Sequence, residues 1–226
     1  MAKRISIAID GPAGAGKSTI AKRLSKELGY CYVDTGAIYR TVAYFMDLLG
    51  ISPKDVDNVT RYIDELTIGI EYDEEGVQHM IMNGMDVTGD IRTQDISQKA
   101  SLVSAHAVVR DVLLDMQREV AQHHDVIMDG RDIGTVVLPK ATVKIFLTAS
   151  PEVRAKRRTD ELIAKGQKAN YDKVLAEIKQ RDYQDTHREV APLKMARDSI
   201  KVDTSDMDIE QVVAAIREII AKKVGE

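Results

Sequence analysis

The stretch DGPAGAGKST, residues 10–19, follows a short apolar run and precedes a helical pattern. Its spacing fits G-x-x-x-x-G-K-[S/T], in which glycines let the backbone turn so tightly that several N–H groups form a concave anion site. Such a loop must leave a buried strand and enter a helix. Residues 5–9 (ISIAI) are apolar and rich in β-branched side chains, and residues 18–30 carry apolar side chains at helical spacing up to Gly29. The sequence therefore predicts a strand, a phosphate-binding loop and a helix in succession.

Each part of this phosphate loop (residues 10–18) has its own expected contact. Lys17 is expected to reach the outer phosphates of a nucleotide, and the Ser18 hydroxyl to help hold Mg²⁺ beside them. The residues expected around the phosphates are Gly11, Pro12, Ala13, Gly14, Ala15, Gly16, Lys17, Ser18 and Thr19. A glycine-rich turn without a ligand is the alternative, and the agreement of the full pattern with its strand and helix disfavours it.

The composition bounds the class of protein. The chain has 226 residues, a formal net charge of −4 and one cysteine, Cys31. This length accommodates one domain with an insertion or a mobile lid, and the acidic balance disfavours broad, non-specific nucleic-acid binding. A single cysteine excludes an internal disulfide and a cysteine-rich zinc site. The histidines also lack metal-ligand spacing; they are His79, His106, His123, His124 and His187.

The apolar runs are too short for a membrane span, which requires ~18 residues. The run behind the basic residues 1–4 ends at Asp10, which is also too short for the core of a signal peptide. We therefore expect a protein of the reducing cytoplasm, with no membrane partner.

Four further apolar segments are predicted as short strands: residues 30–34, 125–129, 143–148 and 199–203. Helical patterns lie between them, and this alternation is typical of a parallel sheet covered by helices on both faces. Ligands of such folds bind beyond the carboxyl ends of the strands. Functional residues should therefore follow these strands directly.

Two segments depart from the alternation. Residues 66–87 alternate apolar and polar side chains around the turn signals DEEG and NGMD, which predicts a small antiparallel sheet inserted between helices. Residues 150–190 are helical and strongly charged, with a break at residues 165–171 (KGQKANY). Beside a phosphate loop, such a helical pair suggests a lid that closes over a nucleotide. A solvated charged face is the alternative.

Five segments along the chain resemble bacterial cytidylate kinases: DTGAIYR (34–40), IRTQ (91–94), MDGRDIGT (128–135), VKIFL (143–147) and EIKQRDYQDTHREVAPL (177–193). The resemblance covers nearly the whole chain, and the segments follow one another in the order of that family. The resemblance implies the nucleoside monophosphate kinase fold, a three-layer α/β phosphate-loop fold with a five-stranded parallel sheet. It also implies transfer of the γ-phosphoryl group of ATP to CMP or dCMP, with Mg²⁺, giving ADP and CDP or dCDP.

The same resemblance implies a division of the chain into three parts. The core is expected at about 1–34, 124–150 and 191–226, and the helical lid at about 151–190. The monophosphate-binding part, which includes the inserted small sheet, is expected at about 35–123.

The start of the acceptor site is expected after the second predicted strand. Thr35 is predicted to cap a helix that carries Tyr39 and Arg40 one turn later, and an aromatic ring and a guanidinium suit a base and its phosphate. Ordinary capping and packing is the alternative. The resemblance assigns the acceptor site to Thr35, Tyr39, Arg40, Ser101, Arg110, Arg131, Asp132, Arg181, Asp185 and Arg188. For the last three of these residues, surface ion pairing along a helix is the alternative.

Asp132 and Arg110 are expected to face the cytosine base. The N4 amino group of cytosine is a donor beside the N3 and O2 acceptors, so a carboxylate and a guanidinium complement it.

The groups expected around the transferred phosphoryl group come from three segments. Asp129 ends a predicted strand, where phosphate-loop proteins commonly place an acid, and we expect it in the outer shell of Mg²⁺ bound by Ser18. Arg131 and Asp132 are expected to point towards the acceptor, and an ion pair between the two is the alternative. The resemblance places Arg154, Arg157 and Arg158 on the ATP side as one stripe of the lid. The catalytic residues expected are Lys17, Arg131, Asp132 and Arg157.

Other functions fit the sequence less well. A GTPase-like switch would use D-x-x-G, which occurs at residues 73–76 and 86–89, but both lie in the predicted insert and the chain has no N-K-x-D. The basic run RAKRR at 154–158 is typical of nucleic-acid patches, yet acidic residues interrupt its surroundings. Among kinases, UMP is the alternative acceptor. We therefore expect a monomer whose partners are nucleotides, not nucleic acid.

Overall fold

The computed structural model describes residues 4–225, so residues 1–3 and 226 of the predicted core lie outside the described residues. Within that range the strands are β1 (Ser6–Asp10), β2 (Cys31–Asp34), β3 (Ile68–Tyr72), β4 (Gln78–Met82), β5 (Met85–Asp86), β6 (Val126–Gly130), β7 (Val143–Thr148) and β8 (Ile200–Asp203). The helices are α1 (Lys17–Leu28), α2 (Thr35–Leu48), α3 (Val56–Tyr62), α4 (Gln94–Val103), α5 (Ala107–His123), α6 (Pro151–Ala164), α7 (Tyr171–His187) and α8 (Ile209–Val224). A short π-helical turn follows β6 at Ile133–Val137.

Five of the described strands form the main sheet, in the order β2-β6-β1-β7-β8, and all pair in parallel. This confirms the predicted sheet. Side chains alternate along the central strand β1, so Ile7 and Ile9 pack with α1 and α8, whereas Ala8 packs with α2 on the opposite face. Each large apolar side chain buried this way stabilises the fold by about 1.5–3 kcal/mol. Burial on both faces explains why these strands are nearly continuous apolar runs.

The register of the main sheet brings three acids to one edge. Asp34 of β2 pairs with Asp129 of β6, and Asp10 of β1 pairs with the next residue of β6, Gly130. The phosphate loop, the start of α2 and residues 130–132 therefore leave the sheet side by side. This is the crevice that the sequence predicts at the carboxyl ends of the strands.

The inserted sheet is also confirmed. Within the described residues it has three strands in the order β3-β4-β5, and both pairings are antiparallel. Along β4 the side chains of Gln78, Met80 and Met82 are buried, and the two methionines join the apolar cluster of α2. The insert is therefore packed onto the helical layer that carries Arg40.

The charged segment after β7 is a helical pair, α6 and α7, as predicted. Ser150 and Asn170 cap the two helices with their side chains. Ala155, Val174 and Ile178 form a small apolar cluster between them, separate from the clusters on the main sheet. Closure of this pair over a ligand stays a prediction.

The prediction that Thr35 caps α2 is wrong. Asp34 is the cap, because its extended backbone (φ −82°, ψ 93°) directs its carboxylate to the Ala37 N–H at 2.9 Å. Thr35 is already helical, and its buried hydroxyl donates to the Asp129 carbonyl at 2.7 Å. The hydroxyl thus joins β6 to α2 instead of closing the helix.

No helix within residues 4–225 is long and apolar enough to cross a membrane.

Replacing Gly130 with alanine should destabilise the fold. A Cβ at this position would lie 2.7 Å from both Ile133 Cδ1 and Thr35 Oγ1, so the segment after β6 would have to shift. We expect a loss of about 1–3 kcal/mol in the free energy of unfolding, measured by urea titration. Gly89→Ala is the control, since its Cβ meets nothing within 4 Å and its φ is −72°. Equal unfolding midpoints for the two variants would contradict the expectation.

Candidate active site

The backbone of the phosphate loop is built for glycine at its turns. Gly11, Gly14 and Gly16 have φ values of +151°, +74° and +90°, a region that side chains with a Cβ rarely adopt. At Gly11 a Cβ would also lie 1.9 Å from the Leu147 carbonyl oxygen. Gly16 precedes α1 and has no side chain to cap it, so the first amides of the helix stay available to an anion.

Lys17 is buried beneath this loop. Its ammonium donates to the Pro12 carbonyl at 2.8 Å. Burial lowers the pKa of Lys17 to about 7, and the nearby charge of Arg131 adds to the effect, while Asp129 and Asp185 oppose it. A buried ammonium whose bonding partner is a neutral carbonyl would be stabilised by an incoming phosphate.

The Ser18 hydroxyl and the Asp129 carboxylate lie beside the loop and are oxygen groups that suit Mg²⁺. The Ser18 hydroxyl donates to Asp129 Oδ2 at 2.9 Å, and the Tyr32 hydroxyl donates to Oδ1 of the same carboxylate at 2.8 Å. Burial raises the pKa of Asp129, and the charge of Asp34 adds to the rise. No group of three or more metal-binding side chains occurs in the described part of the chain. A hard cation held here would therefore take most of its ligands from phosphates and water, as Mg²⁺ usually does.

Three arginines from separate elements lie near one another at this edge of the sheet, and the charges of two of them, Arg131 and Arg181, act on Lys17 of the loop. Arg40 of α2 donates to Asp34 Oδ2 at 2.9 Å, and Arg131, after β6, donates to Asp185 Oδ2 at 2.8 Å. Arg181 lies near both on α7 and is also close to Asp185. Ser101 of α4 approaches Asp185 as well, at 3.5 Å.

Three arginines in this cluster face only two carboxylates, those of Asp34 and Asp185, so positive charge exceeds negative charge. Burial lowers the pKa of Arg181 to about 10, and repulsion from Arg131 adds to it. The buried Nε atoms of Arg40 and Arg181 have no hydrogen-bond partner among residues 4–225. A buried guanidinium N–H without a hydrogen-bond partner is costly unless a bound anion accepts from it. The arrangement therefore fits a phosphate between the loop and the helices.

A second cluster of buried charged side chains surrounds Asp132. Asp132 accepts from Arg110 at Oδ2 and from Arg188 at Oδ1, the latter at 3.4 Å. The Arg110 guanidinium carbon is 5.4 Å from the centre of the Tyr39 ring, within the range of a cation–π contact. Arg188 also donates to Ser104 Oγ at 3.2 Å. This buried cluster presents a carboxylate, two guanidinium groups and an aromatic ring.

The structure decides between two interpretations that the sequence left open. Arg131 and Asp132 do not pair with each other; Arg131 pairs with Asp185, and Asp132 with Arg110 and Arg188. Surface pairing along α7 is also excluded, since the Asp185 and Arg188 side chains are only 5% and 6% exposed. Arg188 follows the last residue of α7, so its backbone is extended, not helical.

The lid arginines do not form the single stripe that the sequence predicts. Arg154 bonds the carbonyls of Ala149 and Ala13 and the carboxylate of Asp182. Arg157 and Arg158 turn elsewhere: Arg157 donates to Thr204 and Met207, in the loop before α8, and Arg158 donates to Glu161 near solvent. Helical spacing alone could not separate them because the contacts come from three distant segments.

Sequence reasoning missed three side chains of the crevice that accept hydrogen bonds: Asp10, Asp34 and Ser104. Asp10 accepts from the Ile133 and Gly134 N–H groups, both at 2.7 Å, and burial raises its pKa to about 6. Asp10 and Asp34 had a signal, since each is the acid that ends a strand, as Asp129 does. Ser104 lies in the short break between α4 and α5 and carried no such signal.

The phosphate loop and the arginine cluster meet across one crevice at the carboxyl edge of a parallel sheet. One side of the crevice is built for the phosphates of a nucleotide, and the other for a second anion. The fold and the site together define a phosphate-loop kinase.

The chain belongs to the cytidylate kinase family, whose sequence model matches residues 7–222. It is 45% identical over 217 residues to the cytidylate kinase of Clostridium tetani, which covers 96% of this chain and 94% of that protein. It is 48% identical over 219 residues to the cytidylate kinase of Lactobacillus johnsonii, with coverages of 97% and 95%. Among solved structures, an uncharacterized protein from Eubacterium ventriosum ATCC 27560 superimposes with a TM-score of 0.52 at 14% identity. That alignment covers 96% of this chain and 98% of the other, and it is a likeness of fold alone.

Sulfate should stabilise the protein through the excess of arginine charge. At about ten times its dissociation constant, it should raise the melting temperature by roughly 3–6 °C over chloride at equal ionic strength. Arg181→Gln should reduce this shift, because it removes one of the guanidinium groups that lacks a partner. Arg217→Gln, at a half-exposed position of α8, is the control and should keep the full shift. An undiminished shift in Arg181→Gln would place the anion elsewhere.

Proposed function

We propose that this chain transfers the γ-phosphoryl group of ATP to the phosphate of CMP or dCMP, giving ADP and CDP or dCDP. The observation that carries the proposal is the cluster of Arg40, Arg131 and Arg181 at the same edge of the sheet as the phosphate loop. Two of these arginines, Arg40 and Arg181, have buried Nε atoms without partners among the described residues. The loop takes the triphosphate of ATP, and the arginines take the acceptor phosphate. Membership in the cytidylate kinase family supports a cytidine nucleotide as the acceptor.

The proposed chemistry needs no strong general base. The attacking oxygen of the acceptor phosphate is already an anion, so the protein has to align it with the γ-phosphoryl group and neutralise negative charge. Lys17 does this from the loop side, and Arg131 from the acceptor side. Asp185 fixes the Arg131 guanidinium at 2.8 Å and so orients it between the two phosphates.

Ser18 and Asp129 are the residues proposed to hold Mg²⁺, Ser18 directly and Asp129 through water. When bound, Mg²⁺ neutralises charge on the β- and γ-phosphate oxygens. Asp129 also orients the Ser18 and Tyr32 hydroxyl groups through its two carboxylate oxygens.

The donor side is proposed to end at the start of α6. Arg157 bonds the loop before α8 through Thr204 and Met207, and Arg154 bonds the phosphate loop at Ala13. We assign α6 and α7 to the lid of about residues 151–190, beside the core and the monophosphate-binding part of about 35–123, and closure of the lid has to rearrange these contacts. Closure of the lid excludes water from the γ-phosphoryl group. Arg158 is proposed to turn towards ATP only in that closed state.

The cluster around Asp132 is proposed to read the base. Asp132 accepts from the N4 amino group of cytosine, and Arg110 donates to the N3 and O2 side. Tyr39 packs beside the Arg110 guanidinium and Arg188 holds the second oxygen of Asp132. Uracil presents O4 in place of the amino group, which would leave the carboxylate facing an oxygen. Asp185 and Ser101 are left for the sugar.

Lys17→Ala should nearly abolish the reaction without unfolding the protein. The test is an assay of ADP release across ribo- and deoxyribonucleoside monophosphates, in which the wild type should prefer CMP or dCMP. Because Lys17 neutralises charge on the transferred group, we expect turnover to fall by ~10³-fold or more. Lys26→Ala, an exposed change in the last turn of the same helix, should leave turnover intact. Wild-type turnover in Lys17→Ala would remove the phosphate loop from the mechanism, and a panel without a cytidine preference would remove the proposed acceptor.

Asp132→Asn should collapse the preference for CMP over UMP. Asparagine keeps the size of the side chain, and its amide can donate to O4 of uracil. An alanine there would leave Arg110 and Arg188 buried without any oxygen acceptor at this position, whereas asparagine keeps its carbonyl oxygen. We expect kcat/KM for CMP to fall by up to ~10⁴-fold and that for UMP to fall much less.

The control for this change is Asp111→Asn, which removes one charge from the exposed side of α5 next to Arg110. If Asp132→Asn lowers kcat/KM for CMP and for UMP by the same factor, Asp132 supports the structure of the site without recognising the base. The monomeric state and the cytoplasmic location remain predictions from the sequence.

A further inference from the structure

The inserted small sheet lies against the outer edge of β2, which ends the strand order of the main sheet. Two of its side chains bond the β2 backbone: the Tyr72 hydroxyl donates to the Tyr32 carbonyl at 2.9 Å, and Gln78 accepts from the Asp34 N–H at 2.7 Å. Tyr72 and Gln78 are opposite each other in β3 and β4, so both leave the small sheet on one face. Tyr32 and Asp34 are two residues apart, and the outward backbone groups of a strand recur at that interval.

Gln78 holds Asp34 with both ends of its amide. Besides the bond from the Asp34 N–H to Oε1, its Nε2 lies 3.4 Å from the Asp34 carbonyl oxygen and 3.0 Å from Met80 Sδ. The N–H of Asp34 needs an acceptor, which fixes the orientation of the amide. Gln78 is only 6% exposed, so these groups replace the pairing that a neighbouring strand would give.

The side chain of Asp34 makes two further bonds. Oδ1 accepts from the Ala37 N–H at 2.9 Å and caps α2, and Oδ2 accepts from Arg40 at 2.9 Å. Asp34 is therefore held at its backbone by Gln78, and its carboxylate in turn holds Arg40. A shift of the Asp34 backbone would move the Arg40 guanidinium with it.

We propose that Gln78 is a positioning residue for the acceptor phosphate, acting through Asp34 on Arg40. The small sheet then raises the affinity for the acceptor monophosphate without touching it, because its buried amide fixes the residue from which Arg40 takes its orientation. This inference rests on the proposed assignment of Arg40 to that phosphate. The competing account is that Gln78 only covers the backbone edge of β2, and Tyr72 would serve that purpose equally well.

The test compares two variants that each remove one contact between the small sheet and β2. Gln78→Met keeps the volume of the side chain and removes both bonds to Asp34. Tyr72→Phe removes the bond to Tyr32 and leaves Asp34 unchanged. KM for CMP is measured at saturating ATP, KM for ATP at saturating CMP, and CMP binding by titration calorimetry.

We expect Gln78→Met to raise KM for CMP, and the calorimetric dissociation constant with it, by about tenfold, because Arg40 loses part of its orientation towards the phosphate. KM for ATP and kcat should change by less than about twofold, because the phosphate loop and Lys17 are untouched. Tyr72→Phe should leave all three constants near the wild-type values. An equal rise in KM for CMP in both variants, or no rise in Gln78→Met, would overturn the proposal.

Arg40→Ala separates this inference from the assignment on which it rests. If Arg40→Ala alone leaves KM for CMP unchanged, the assignment of Arg40 fails. If it raises KM, then Gln78→Met added to it should cause little further rise, because both changes act on one group. If the rise in KM for CMP in the double variant equals the product of the two single rises, Gln78 does not act through Arg40.

A second variant covers the case in which Gln78→Met does not fold. Gln78→Glu keeps an acceptor for the Asp34 N–H and loses the donor to its carbonyl. KM for CMP in this variant should lie between those expected for the wild type and Gln78→Met. A wild-type KM for CMP would overturn the proposal here as well.

Discussion

Asp129 holds together the elements that form the crevice. One oxygen of its carboxylate accepts from Ser18 at the start of α1, the other from Tyr32 of β2, and its backbone carbonyl accepts from Thr35 of α2. A buried carboxylate without such donors would be costly, and with them it ties three elements to the end of β6. The relative position of the phosphate loop and of the helix that carries Arg40 depends on this one residue.

Around that centre, α7 balances the charge of several segments. Its Asp182 pairs with Arg154 of α6 and its Asp185 pairs with Arg131 after β6, while Arg188, just beyond the helix, pairs with Asp132. Each pair joins groups that are distant in sequence, so the helix fixes arginines that would otherwise repel one another. The pairing is incomplete at the buried Nε atoms of Arg40 and Arg181, and a phosphate supplies acceptors and negative charge of the kind that they lack.

The sequence predicts the main sheet well because strands buried on both faces are short apolar runs with little ambiguity. It also predicts the crevice, since the phosphate loop follows one of those runs. It places the cap of α2 wrongly at Thr35 instead of Asp34, because Thr and Asp side chains both cap well and the position of the cap depends on where β2 ends. The sequence also could not predict the ion pairs of Arg131 and Asp132, which are adjacent in the chain. Arg131 pairs with a residue of α7, whereas Asp132 pairs with a residue of α5 and with Arg188. Nothing in the sequence marks Gln78, because its bonds to Asp34 form only where the small sheet meets β2.

The apolar cluster within the α6–α7 pair bears on how fast the pair can move. Since Ala155, Val174 and Ile178 pack among themselves, a rigid rotation of the two helices exposes little of the main core to water. What must break is a set of polar contacts to other elements, such as those of Arg154 to the phosphate loop, of Arg157 to Thr204 and of Asp185 to Arg131. Breaking such contacts exposes little apolar surface, so the heat capacity of the protein hardly changes. The rate of such a motion would follow the strength of these polar contacts more closely than the strength of hydrophobic packing.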